Sequence, residues 1–158
     1  MRDTIAELLK ETCKDVQVEP ALMPVTGEEL PAGTNTTDGA RADVSAIGLW
    51  QPLSKAFIDV KVFNPHAMSN AAKDLNRTYI QHGKAKKGQY NARIMEIEKG
   101  TFTPAIFSCS GGASPEASRL LKTIASKLAA KRGESYPVNI NFVRSITVDI
   151  LTCIISST

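Results

Sequence analysis

Histidine and cysteine are scarce in this chain, and what little there is does not cluster. His66 and His82 stand alone, and Cys13, Cys109 and Cys153 are far apart with no C-x-x-C pair among them. That argues against a zinc site of the finger type and against a disulfide framework. It fits a reduced intracellular protein with buried thiols. The run Ser108-Cys109-Ser110-Gly111-Gly112 lacks the G-x-S-x-G elbow of a serine hydrolase and the glycine-lysine spacing of a phosphate loop, so it reads as a strand-to-helix connection. A secretory leader is missing as well, because Arg2, Asp3, Glu7 and Lys10 interrupt the N-terminus. The apolar run over 138–156 contains Asn139, Asn141, Arg144 and Asp149, which suits a buried or amphipathic element and not a membrane span. No internal repeat or low-complexity tract is present.

What is there is ordinary in amount and uneven in placement. The 158 residues are 42% hydrophobic and 22% charged, enough for one globular domain over residues 1–158. Residues 1–50 carry four Lys/Arg against nine Asp/Glu, whereas the remainder carries fifteen against seven. An acidic part beside a basic part suits a protein that holds cations with one and phosphates with the other.

The hydrophobic period changes along the chain. Residues 3–13 have helical spacing, with Ile5, Leu8 and Leu9 on one face. Residues 15–20 read as a short strand, 23–39 as a loop turning at Asp38-Gly39, and 40–46 and 56–63 as two alternating strands. A mainly helical segment is expected over 69 to about 90, capped by Ser69 or Asn70 and loosened near Gly83 and Gly88. Two further strands are expected over 93–99 and 102–109. Ser114-Pro115-Glu116 is a helix start with cap, N1 proline and early acid, and Gly133 is the stop. A last, helical element covers about 139–156. The order predicts an α/β fold with a central mixed β-sheet flanked by helices.

The chemistry is concentrated in the two alternating strands. Side chains alternate faces along a strand, so Phe57, Asp59, Lys61 and Phe63 share one face of the second, opposite Ile58, Val60 and Val62. In the first, Asp43 and Ser45 oppose Ala42, Val44 and Ala46. Gly, Pro and Ser between the runs make a hairpin centred near residues 51–52. Paired residue numbers then sum to about 102–104, and an even sum puts Asp43, Asp59 and Lys61 on one face, directly opposed neighbours lying roughly 5 Å apart. Two carboxylates suit a hard cation such as Mg²⁺ or Mn²⁺, and a lysine two residues on can orient water and offset phosphate charge. Asp59 is flanked by Phe57 and Phe63, unlike the charges of a solvated strand face. Glu7 on the first helix is a further candidate acid, ahead of Glu19. The most basic stretch, with Arg77, Lys84, Lys86, Lys87 and the aromatic Tyr90, suits contact with a nucleic-acid backbone.

The order Asp43, then Asp59-Val60-Lys61 on a hydrophobic strand, resembles the PD-(D/E)XK, or restriction-like, nuclease superfamily. Longer stretches, residues 38–46, 57–65 and 90–104, resemble the C-terminal endonuclease-like region of animal retroelement reverse-transcriptase polyproteins. Ala42 stands where the motif has proline. The resemblance implies a restriction-endonuclease-like fold and Mg²⁺- or Mn²⁺-dependent DNA cleavage. It makes Asp43, Asp59 and the Val60 carbonyl metal ligands and Lys61 the residue that positions water. Glu7 becomes the first-helix acid, and Lys84 or Lys87 the basic residue on the helix after the strand. DNA is then the principal partner, in the nucleus of a eukaryote. A reverse-transcriptase region of a longer polyprotein and a second copy of the chain are the protein partners expected. The competing expectations are a nucleic-acid-binding module of the same fold without catalysis, and an assembly domain that dimerises through its apolar C-terminal element.

Overall fold

A computed structural model describes residues 1–156, with side chains through residue 152. The elements run α1 (Arg2–Thr12), β1 (Lys14–Val18), β2 (Val44–Ile47), β3 (Lys55–Phe63), α2 (Leu75–Arg93), a π-helical turn (Ile94–Glu98), β4 (Thr101–Ser108), α3 (Pro115–Arg132) and α4 (Tyr136–Ser156). The four strands form one mixed sheet in the order β1-β2-β3-β4. The first two pairings are antiparallel and β3 with β4 is parallel, bridged by α2. This is the expected mixed α/β architecture.

The hairpin falls in the expected register. Val44 pairs with Ile58 and Ile47 with Lys55, a constant sum of 102. The chain reverses through Gly48, whose φ of 89° favours glycine, and Gly48 N–H donates to the Ser54 carbonyl. Ala56 and Ile58 of β3 then point with Val44 and Ala46 into the main core. There they meet Ile5, Leu8 and Leu9 of α1, Leu120, Ile124 and Leu128 of α3, and Ile140, Val143 and Leu151 of α4. Each of these larger side chains contributes roughly 1.5–3 kcal/mol by burial. Ala42 departs from the expected face: it precedes β2 and packs with Phe57, Phe102 and Ile94 on the other side of the sheet.

Local chemistry accounts for the helix ends. Ser114 caps α3 by accepting from Ala117 N–H at 3.1 Å, Pro115 follows at N1, and Gly133 closes the helix at φ 64°. Helix α2 begins later than expected, since Asp74 is its cap and accepts from Arg77 N–H at 3.0 Å. The preceding residues form turns around Asn64, whose side chain accepts from His66 N–H and whose carbonyl accepts from Asn70.

Residues 93–99 are not the expected strand. Arg93 ends α2 and residues 94–98 add a π-helical turn. Arg93 is fully buried, and its guanidinium donates to the carbonyls of Asn35, Thr37 and Met23. Ile94 packs with Phe57 and Phe102. Those tertiary contacts outweigh the local strand preference. Gly100 then lets the chain pass so close to Lys55 that a Cβ would lie 2.6 Å from its carbonyl oxygen. Cys13 and Cys109 are unpaired and half-buried, less enclosed than expected, and the Cys153 side chain lies outside the described residues. Among the described residues no helix is long and apolar enough to cross a membrane.

Candidate active site

The face of β3 turned toward α2 reads Phe57, Asp59, Lys61, Phe63. Phe57 belongs to one apolar cluster, with Ile94 and Phe102, and Phe63 to another, with Tyr79 and Ile106. Asp59 and Lys61 occupy the interval between them. Asp59 is 5% exposed and lies beside Pro104 of β4 in the parallel register. Burial is the main influence on its carboxyl and pushes it above the ordinary carboxylate range. Lys86 opposes that shift, Asp43 adds to it, and Lys61 opposes it weakly.

Asp43 reaches the same place from the end of β2. The β2–β3 pairing stops at Val44 and Ile58, so the Val60 N–H beyond it has no strand partner. The Asp43 carboxylate takes that N–H, Oδ2 lying 2.6 Å from Val60 N. A strand residue sends its N–H and C=O to the same side, so the Val60 carbonyl also emerges beside Asp43. Asp43 is held in turn by β1: its carbonyl accepts from Glu19 N–H at 2.8 Å. Glu19 has a φ of 52°, pairs with Arg2 at 2.6 Å, and accepts from Arg41 through its own carbonyl.

Helix α2 closes the site with Lys86. Its Nζ lies 2.6 Å from Asp59 Oδ2, and its side chain is 25% exposed. Oδ2 is buried, and the ammonium is its close ion-pair partner. Burial pulls the Lys86 ammonium down, but Asp59 more than offsets this and holds it above its ordinary value. The ammonium also lies 5.8 Å from the Tyr90 ring centre. One turn earlier, His82 stacks on Phe63 with ring centres 5.0 Å apart. Burial lowers the His82 imidazole, and Lys61 and Lys73 lower it further, so the neutral form is favoured there.

The residues singled out from the sequence therefore separate. Asp43 is joined to Val60 and Asp59 to Lys86, Lys61 shares the face of β3 with Asp59, and Tyr90 lies behind Lys86. Tyr90 itself packs against Phe102 and receives a long hydrogen bond from Asn35. Arg77 and Lys84 are exposed and line a groove with Lys73, Asp74 and Ile80 on the far side of α2. Lys87 pairs with Glu116 of α3 at 2.7 Å. Glu7 is exposed and pairs with Lys10 within α1, while Glu19 is the acid joined to the Asp43 backbone. The selection of Lys86 over its neighbours was open to sequence reading: Tyr79, His82, Lys86 and Tyr90 fall at helical spacing on one stripe.

Asp43, Asp59 and the Val60 carbonyl could offer oxygen donors to a hard divalent cation, with Asp59 Oδ2 buried against the Lys86 ammonium. Among the described residues no group of three or more His, Cys, Asp or Glu side chains is arranged to hold a metal ion. The donor set thus ends at two carboxylates and a backbone oxygen. Compared with the known protein families, the curated proteins and the solved structures, the chain matches none.

Proposed function

We propose that the protein is a metal-dependent DNA endonuclease with a restriction-endonuclease-like fold, derived from a retroelement. What supports this reading is that Asp43 takes the Val60 N–H where the β2–β3 pairing stops, one residue from the buried Asp59, with Lys61 on the same face of β3 as Asp59. The order α1-β1-β2-β3-α2-β4 around a mixed sheet supports it. In this reading Asp43 and Asp59, with the Val60 carbonyl, hold Mg²⁺ or Mn²⁺. The ion supplies Lewis acidity and a more acidic bound water. Lys61, on the same face as Asp59, orients the attacking water and offsets charge on the scissile phosphate. Asp43 keeps its carboxylate in place through the Val60 N–H, and the apolar clusters on either side restrict water.

The test is nicking of supercoiled plasmid with Mg²⁺ or Mn²⁺ by wild type, Asp59→Ala and Lys61→Ala. Removal of a metal ligand or of the lysine should reduce the rate by at least about a hundredfold. Equal nicking by all three overturns the assignment. A second reading, a nucleic-acid-binding module of the same fold without catalysis, is favoured by one observation: Lys86 already neutralises Asp59. It predicts DNA binding that weakens steeply with salt and no metal-dependent nick.

A further inference from the structure

The Lys86–Asp59 contact bears on how a metal would enter. Counting the charged side chains that meet at the site, Asp43 and Asp59 are balanced by Lys61 and Lys86. The site is therefore close to neutral as it stands. Lys86 Nζ sits 2.6 Å from Asp59 Oδ2, close beside the space a cation ligated by that oxygen would occupy. Two cations cannot share one carboxylate oxygen at such range without strong repulsion. A divalent ion that uses Oδ2 is opposed by the ammonium for as long as Lys86 stays in place.

Lys86 is built to be displaced. It is carried on a four-carbon stem by the middle of α2 and is partly exposed. Its other neighbour on this face, the Tyr90 ring at 5.8 Å, gives the ammonium a weaker attraction. Moving the side chain outward requires no change in the helix. Resting on the nuclease reading, we propose that Lys86 is an intramolecular counter-ion that competes with the divalent metal for Asp59. Metal affinity in the DNA-free protein is kept low by it, and Lys86 is a positioning residue, not a ligand.

The competition makes a prediction opposite to that of a structural role. A side chain that merely supported the site would, when removed, weaken metal binding. Removal of a competitor strengthens it. The experiment is Mn²⁺ binding without DNA, followed by electron paramagnetic resonance of the free ion and by the Mn²⁺-induced shift in melting temperature. Wild type, Lys86→Gln, Lys86→Met, Asp59→Asn and Lys84→Gln are compared after circular dichroism confirms folding. Lys86→Gln and Lys86→Met should bind Mn²⁺ about tenfold tighter or more, through loss of a like charge at the ligand. Lys84→Gln, on the far side of the helix, should match wild type, and Asp59→Asn should lose the binding. If binding depends on Asp59 but the Lys86 variants bind no tighter than wild type, the counter-ion role is overturned and the metal site stands. Binding that is absent, or indifferent to Asp59, overturns both.

Discussion

Removing the two halves of the Asp59–Lys86 pair should destabilise the fold unequally. Asp59 is 5% exposed and lies between two apolar clusters, while the Lys86 side chain is 25% exposed on a flexible stem. Lys86→Met leaves a buried carboxylate without its close partner. Such a loss costs about 3–5 kcal/mol, and Lys61 on the same face brings the expected cost to the lower end, about 3 kcal/mol. Asp59→Asn leaves a lysine that can reach water by straightening its stem, and removes a carboxylate whose burial is already unfavourable. Its cost should stay within about 1 kcal/mol. The pH dependence follows from the direction of the Asp59 shift. Its folded-state value lies above the ordinary 3.8, so the folded state holds the proton more tightly and stability falls as pH rises through that window. Without Lys86 the carboxyl rises further, and the deficit of Lys86→Met should shrink as pH is lowered from 7 toward 5. Urea unfolding of the three proteins at both pH values measures this. Equal costs for the two substitutions, or a Lys86→Met deficit that does not change with pH, would refute the account of Asp59 as a desolvated carboxylate.

Two further predictions concern the scaffold. Arg93→Met removes the donors to the carbonyls of Asn35, Thr37 and Met23 and should release the loop over 23–39. Limited proteolysis should then cut within that loop well before the rest of the chain, and a cleavage pattern identical to wild type would contradict the tether. Gly112→Ala should lower the melting temperature by several degrees, because a Cβ there overlaps the Tyr79 hydroxyl. That hydroxyl has no hydrogen-bond partner among the described residues, so Tyr79→Phe alone should be nearly neutral and should recover much of the loss when combined with Gly112→Ala.

The hairpin was legible because its evidence is local. Alternation in residues 56–63 and turn residues between the strands confine the register, and a sum of 102 lies within the expected range. The α3 boundaries were equally local, written in Ser114, Pro115 and Gly133. Residues 93–99 were not, since their conformation follows from what Arg93 and Ile94 touch far away in the chain. The α2 lysines pose a different difficulty. The helix is polar nearly all round, its buried residues being Thr78, Tyr79, Gly83 and Arg93, so lysine count alone cannot say which faces the sheet. The link of Glu19 to Asp43 is a backbone hydrogen bond, which side-chain patterning does not register.

Asp43 and Asp59 differ in what the fold gains from them. Asp43 accepts the Val60 N–H where β2 ends, so its carboxylate has a structural use that any good acceptor there would also serve. Asp59 has none of comparable kind. It displaces apolar surface between the Phe57 and Phe63 clusters, its burial disfavours the charge, and the lysine that neutralises it is partly exposed. A valine at this position of β3 would join the two clusters and raise stability. Strand preference, packing and solvation all argue against an acid here. Residues that oppose every local preference while sitting in a gap lined by charge are the pattern of a functional site. Asp59 and its misfit thus mark this hairpin more strongly than the spacing of the three charged residues does.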